Sequence, residues 1–344
     1  MSSSAPQSPS PLATTPPEAA FRKLGFPSRE AFEFPNIVNA EVYRSQCPCR
    51  CRHCPVGRTE PGRRAARFGQ RGMDLGLFRK IVLEMARYPR RVLRVHAAGE
   101  PLLWDGLTEA LASTRRCGVR TWLFTSAVTE DRELLAAVCA SADVIEVSLN
   151  GTTREDYLAT KGVDAFDLVV ANLRHMRQRM RPETPARLIV SRVESLDAGA
   201  DGRFVQLWKA SGLVDDAFVR SYHTYNALLP ELACARQPAP AHEPCLVHWA
   251  RFNVSVEGKV VVCFNELFKE KLDQSLVIGD VRVQSIAEIW HGAALTALRR
   301  AELSGDYSAL PIAGALPCPH CGSCQPLRGH RQTSEFQMRQ LDRP

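Results

Sequence analysis

Seven of the chain's twelve cysteines fall into two short runs, Cys47, Cys49, Cys51 and Cys54 near the start and Cys318, Cys321 and Cys324 near the end, with Cys245 and Cys263 between. Thiols bunched this tightly restrict the fold more than any other feature, because the chain around them must either pair the sulfurs or bring them to a shared centre. Pairing is disfavoured. No stretch approaches the roughly 20 uninterrupted apolar residues that span a bilayer, and the N-terminus lacks the basic start and apolar run of a secretory signal. A cytoplasmic location is therefore expected, and in that reducing compartment clustered thiols more often bind metal than form disulfides. Two metal-ligand sets are the economical reading, with Cys117, Cys139 and Cys234 outside them.

The remainder of the 344 residues is globular in character, 45% hydrophobic and 24% charged, enough to build one large α/β domain or two smaller ones. The first 17 residues hold five Ser and five Pro with no charged side chain. Such a segment buries too little apolar area to offset its ordering entropy, so residues 1–30 are expected to be a disordered tail. From Val38 onward, short β-rich runs alternate with amphipathic stretches, the pattern of βα units around a parallel sheet. Strands are predicted at Val38–Arg44, Val92–His96, Arg120–Thr125, Val144–Leu149, Leu188–Val193 and Phe218–Tyr222. Leu77, Ile81 and Met85, flanked by Phe78 and Val82, form one apolar stripe at helical period.

Pro230, Pro238, Pro240 and Pro244 then end the alternation, dividing a barrel region at 36–230 from a small cysteine-rich region at 240–328 and a mobile polar tail at 329–344. In the second region a hairpin is predicted over Phe252–Phe264, turning at Glu257-Gly258, followed by a helix over Ile286–Arg300. So few residues bury a weak core unaided, and metal ligation there would add folding free energy. The net charge of +7 is concentrated in Arg58, Arg63, Arg64, Arg67 and Arg71. Without a helix-turn-helix, zinc-finger, RRM or KH pattern, these residues read as a solvated basic face, and neither a nucleic-acid nor a membrane partner is expected.

Cys47, Cys51 and Cys54 stand at CX3CX2C spacing directly after the first predicted strand, and ligand sites of parallel α/β folds gather at the C-terminal ends of strands. Three thiolates on a four-iron cubane leave one iron open to a small chelating molecule. A structural zinc would instead be closed by a fourth ligand, Cys49 or His53. Spacing alone leaves both open.

Here the sequence resembles the radical S-adenosylmethionine enzymes, whose loop after the first strand of a partial (β/α)6 barrel carries CX3CX2C. His96-Ala97-Ala98-Gly99-Glu100-Pro101-Leu102-Leu103 is similar to the family's GGEP segment. Thr125-Ser126-Ala127, Ser148-Leu149-Asn150-Gly151 and Tyr157 through Lys161-Gly162 follow in the family's order, so the resemblance covers most of residues 36–225. It implies that Cys47, Cys51 and Cys54 ligate a 4Fe-4S cluster whose open iron chelates the amino and carboxylate groups of S-adenosyl-L-methionine. It further implies that Gly99 and Glu100 approach the amino group, with Glu100 a catalytic-site candidate, and that Ser148 and Lys161 approach the ribose or carboxylate end. Ala98, Ser126 and Lys161 depart from the usual Gly, Asn and Arg. Cys49 reads as a bystander.

The later cysteines resemble a SPASM or twitch auxiliary-cluster domain: Cys245, seventeen residues, Cys263 with Gly258 five positions before it, then Cys318-X2-Cys321-X2-Cys324. Leu276–Val281, Ser285–Trp290 and Leu298-Arg299 resemble the stretch between that domain's cysteine pairs. One auxiliary 4Fe-4S cluster on Cys245, Cys263, Cys318 and Cys321 is implied, with Cys324 able to replace either of the last two, and structural zinc as the alternative. Family chemistry implies a flavodoxin- or ferredoxin-type reductant and a 5′-deoxyadenosyl radical that takes hydrogen from an unactivated carbon. The single-cluster layout is similar to aminocyclitol dehydrogenases of antibiotic biosynthesis, so the expectation is dehydrogenation of a sugar, aminocyclitol or related natural-product intermediate. Epimerisation, with Cys234 as hydrogen donor, or maturation of a ribosomal peptide is the enzymatic alternative. With only 46 residues before Cys47, much of them tail, a fused leader-peptide-binding domain is not expected. A non-catalytic cluster-binding sensor is the alternative from another class. His223, Tyr225 and Asn226, past the sixth strand, are candidate substrate contacts.

Overall fold

The computed structural model describes residues 33–180, 186–195, 197–220, 225, 228–229, 244–312 and 314–321. Both predicted tails lie outside the described residues, as do Cys234, Cys324, His223 and Asn226. Ten strands form one sheet among the described residues: β1 (Ile37–Arg44), β2 (Arg71–Gly72), β3 (Val92–Ala98), β4 (Arg120–Thr125), β5 (Val144–Ser148), β6 (Arg187–Val193), β7 (Asp216–Arg220), β8 (Arg251–Val254), β9 (Lys259–Val261) and β10 (Val277–Asp280). The order β1-β3-β4-β5-β6-β7 is parallel throughout, the sheet of a partial (β/α)6 barrel, and each predicted strand falls on one of these six, with Ser221 and Tyr222 at the end of the last lying outside the described residues.

Alternation along the strands sorts residues onto two faces. One face meets the connecting helices. In helix Leu75–Met85 the predicted stripe is buried, and the Asp74 carboxylate accepts from Leu77 N at 2.9 Å, an N-cap worth about 1 kcal/mol. Leu107 and Leu111, Leu135 and Val138, Leu173, Phe204 and Trp208 extend that layer from the following helices. On the other face Ile37, Val92, Trp122, Val144 and Ile189 pack as a separate apolar floor. Above it the inner face is charged: Arg220 Nε donates to Glu146 Oε1 at 3.0 Å, and Trp122 Nε1 donates to Glu146 Oε2 at 3.0 Å. The Arg94 guanidinium lies over the Phe124 ring.

The cysteine-rich region does not stand apart with a core of its own. Strand β8 pairs in parallel with β1 on the edge opposite β3, and β9 and β10 continue the sheet antiparallel. Trp249, Phe252, Val254, Ile286, Trp290 and Leu298 merge into the core beneath the barrel helices. The predicted hairpin turns at Gly258, whose φ of +86° lies in the left-handed region that glycine tolerates. The helix predicted as one piece is two, Ile286–Trp290 and Ala293–Ser304, because extended backbone at Gly292 interrupts it. Buried polar groups join the regions: Asn39 Nδ2 donates to Asn253 Oδ1 at 2.7 Å, and Glu41 accepts from Val256 N at 3.0 Å.

Candidate active site

The first cysteine loop is clamped between strand ends. Ser45 leaves β1 with a φ of +78°, is fully buried and leaves its Oγ without a hydrogen-bond partner. Ser45 N donates to Ala98 O, Glu100 N to Gln46 O and Arg50 N to Lys161 O, each at 2.8 Å. A Cβ on Gly99 would sit 2.7 Å from Gln46 O, so glycine is needed for the approach of the two backbones. Arg64, expected on a solvated face, is instead fully buried. Its guanidinium donates to the carbonyls of Thr59 at 2.9 Å, Cys47 at 2.5 Å, Cys49 at 2.9 Å and Gly57 at 3.2 Å. Carbonyls that the tight loop cannot pair internally are thus satisfied by one planar cation.

Cys47, Cys51 and Cys54 lie on this loop, and Cys49, 1% exposed, hydrogen-bonds the sulfurs of Cys47 and Cys51. Those hydrogen bonds, together with the Lys161 charge, hold the Cys49 thiol well below its ordinary range, while the same contacts and burial push Cys47 and Cys51 up. Cys49 is therefore inside the thiol group. Burial pushes Cys54 up as well. Lys161 is 2% exposed; burial opposes its charge, but the sulfurs of Cys51 and Cys49 outweigh that cost and hold it above the ordinary lysine range. Its Nζ donates to Ser148 O at 2.7 Å, so these two predicted site residues touch each other and Lys161 faces the thiols.

Glu100 is buried with all four acceptor positions of its carboxylate engaged. Oε1 accepts from Thr125 Oγ1 at 2.6 Å and Leu102 N at 3.2 Å, while Oε2 accepts from Ser126 N at 2.8 Å and Ser126 Oγ at 2.6 Å. Burial still pushes its pKa up. The geometry makes Glu100 a brace between the ends of β3 and β4.

His96 is the inner-face residue that sequence reasoning used only as the start of a segment. It is 4% exposed, neither ring nitrogen has a hydrogen-bond partner, and burial beside Arg94 keeps the imidazole neutral. The signal was available: strand alternation puts His96 on the same face as Val92 and Arg94. Its ring meets Phe264, with 4.6 Å between centroids, and Phe264 directly follows Cys263. Phe268 contacts Phe264 at 5.3 Å and Tyr225 at 4.7 Å. An aromatic group therefore separates the two cysteine sites.

At the second site Cys318 and Cys245 each lie near Cys263; burial and then the Cys318 and Cys245 sulfurs push the Cys263 thiol up. Cys321 N closes a turn onto Cys318 O at 3.3 Å. Among the described residues no three His, Cys, Asp or Glu side chains converge on a single ion. Three thiols on one short loop, with the Lys161 cation facing them, fit a multi-iron group, whose thiolates bind separate irons. Among the described residues no helix is long and apolar enough to cross a membrane.

Residues 44–198 match the family model of the radical SAM superfamily, and residues 245–325 match that of the iron-sulfur cluster-binding domain called SPASM. No curated protein matches the sequence. Among solved structures, BtrN in complex with AdoMet and 2-DOIA is similar at 17% identity and a TM-score of 0.53, covering 88% of this chain and 96% of that one. Streptococcus suis SuiB bound to precursor peptide SuiA has 12% identity and a TM-score of 0.57 over 81% of this chain and 68% of its own. For anSMEcpe with bound AdoMet the identity is 11% and the TM-score 0.56, over 89% and 95%. At these identities the likeness is one of fold.

Proposed function

The chain belongs to the radical S-adenosylmethionine superfamily and carries a SPASM domain, with a 4Fe-4S cluster that binds S-adenosylmethionine and auxiliary iron–sulfur chemistry, and from that premise we propose that it dehydrogenates a hydroxyl-bearing small molecule, a sugar, an aminocyclitol or a related natural-product intermediate. The observation that carries this reading is the contact of His96 with Phe264, which links a neutral imidazole on the inner face of the barrel to the residue after Cys263. When bound, the first cluster with S-adenosylmethionine supplies a hydrogen-abstracting radical and the auxiliary cluster an electron acceptor. Cys47, Cys51 and Cys54 hold the first cluster; Cys245, Cys263, Cys318 and Cys321 or Cys324 hold the second.

The protein's own groups do the placing. Arg64 fixes the loop, Lys161 offsets the negative charge gathered by the sulfurs, and Glu100 with Gly99 sets the end of β3 against that loop. Gly99, Ser148 and Lys161 border the cofactor. His96 offers an unpartnered ring nitrogen as a hydrogen-bond acceptor for the substrate hydroxyl. BtrN with 2-DOIA, matched along nearly its whole length, supports a small-molecule substrate; SuiB with its precursor peptide keeps peptide maturation as the second reading. A flavodoxin- or ferredoxin-type protein is the proposed reductant.

Anaerobically reconstituted protein given dithionite and S-adenosylmethionine is expected to release 5′-deoxyadenosine. A panel of aminocyclitols and sugars is expected to yield a product two electrons more oxidised, with no deuterium taken from heavy water. Solvent deuterium at an inverted carbon would replace dehydrogenation with epimerisation. Modification of a precursor peptide in place of the panel would favour maturation, and no deoxyadenosine would leave a sensor.

A further inference from the structure

Next to the auxiliary cysteines lies a histidine that cysteine spacing does not reveal. His248 sits on helix Leu246–Ala250, which follows Cys245, and faces Glu302 of helix Ala293–Ser304; both side chains are 1% exposed. Its Nδ1 is 2.7 Å from Glu302 Oε1, and its Nε2 is 4.0 Å from Cys318 Sγ. Glu302 is itself fixed: Oε1 accepts from Cys245 N at 3.1 Å and Oε2 from Trp249 Nε1 at 2.7 Å. Arg299 Nε holds the backbone by donating to His248 O at 2.8 Å. Rotating or withdrawing the ring would break its buried hydrogen bond to Glu302.

In metal centres a carboxylate commonly fixes the orientation of an imidazole through one ring nitrogen; here the other nitrogen faces a cysteine sulfur. We propose that His248, whose two ring nitrogens face two acceptors, the Glu302 carboxylate and the Cys318 sulfur, and which therefore carries a proton on each, donates a hydrogen bond from Nε2 to the Cys318 thiolate of the auxiliary cluster and thereby sets how readily that cluster accepts an electron. The proposal rests on the cluster assignment above and not on the identity of the substrate. His248 acts as a positioning residue and not a ligand, because each iron of a cubane takes one protein ligand and the cysteines named above supply them. A hydrogen bond to the thiolate drains charge from it, stabilises the reduced cluster and raises its potential.

The test reads the auxiliary cluster without turnover. In a Cys47→Ala, Cys51→Ala, Cys54→Ala background, full-length protein reconstituted with iron and sulfide is titrated electrochemically and followed by EPR. His248→Leu is expected to move the midpoint to a more negative potential and His248→Gln, which keeps an N–H, to move it less, with iron per chain unchanged. An unchanged midpoint overturns the proposal. A second measurement needs no substitution at His248: in the otherwise native enzyme labelled with 15N-histidine, pulsed EPR of the reduced auxiliary cluster is expected to show a weak nitrogen coupling. A strong coupling, marking a ligated nitrogen, or none at all overturns it equally. Deoxyadenosine release by the same enzyme reports separately on the catalytic reading, so failure of one is distinguishable from failure of the other.

Discussion

The two cysteine sites are built by opposite strategies. The first draws Cys47, Cys51 and Cys54 from one eight-residue stretch and holds them by backbone, through the four carbonyl contacts of Arg64 and the strand-end bonds of Ser45 and Glu100. The second gathers Cys245, Cys263 and Cys318 from three segments and depends on the helices, the β8–β9 hairpin and the buried His248–Glu302 pair to bring them together. A contiguous loop brings its thiols together through the chain itself and needs the fold only to clamp it, whereas a discontinuous site exists only when the tertiary fold does. The difference separates a site shaped for an incoming molecule from one shaped by the fold.

Substituting one ligand at each site gives the largest contrast. Cys47→Ala is expected to abolish 5′-deoxyadenosine release altogether. Cys263→Ala is expected to retain release but lose the oxidised product, as measured by chromatography of anaerobic assays. Full product formation by Cys263→Ala would remove the auxiliary cluster from the reaction and collapse the comparison.

Arg44 is where the two strategies meet. Its Nε donates to Phe68 O at 2.8 Å on the first-site side, its Nη1 donates to Leu267 O at 2.7 Å on the second, and Nη1 also meets Glu41 Oε1 at 2.8 Å. Arg44→Ala leaves a buried carboxylate, whose pKa burial already pushes up, without its cation. A loss of about 3–5 kcal/mol is expected in urea unfolding, with iron lost from both sites in parallel. Loss confined to one site would show that the regions are less coupled than the shared sheet implies.

Arg64→Lys sharpens the contrast at lower cost. A lysine presents one compact ammonium to carbonyls that a planar fork reaches together. Stranding one or two of them costs about 1–3 kcal/mol each. Iron analysis with Mössbauer spectroscopy is expected to show depletion of the first cluster and an intact second one.

These expectations follow the boundary between what was and was not legible in the sequence. The six parallel strands and the apolar stripe of helix Leu75–Met85 were legible because period-2 and period-3.6 patterns record burial directly. Cysteine spacing marked the first thiol group because thiols on one short loop must be close in sequence, whereas Cys245, Cys263 and Cys318 were linked only by a family resemblance. Arg64 and His248 were not legible, since an arginine in a basic run and a histidine in an apolar helix have the same letters whether they are solvated or buried; strand alternation marks the face that His96 occupies but not its contact with Phe264. Cys49 looked incidental until folding turned it toward Cys47 and Cys51. The attachment of β8 to β1 joins residues more than two hundred positions apart, and no local pattern encodes it.

The smallest expected effect tests whether the two differently built sites still share one cooperative fold. Helix Leu75–Met85 belongs to the barrel, yet Lys80 Nζ donates to Gln284 O at 2.8 Å and Glu84 Oε1 accepts from Ala287 N at 3.0 Å. Asp74→Ala removes the N-cap of that helix and touches neither cysteine site. About 1 kcal/mol of stability should be lost. Because the helix packs into the continuous core and also bonds the cysteine-rich region, near-UV circular dichroism and iron release from both clusters are expected to shift together in denaturant. If the first site kept its iron through a transition in which the second lost its own, the contiguous loop would be independent of the core that assembles its discontinuous neighbour.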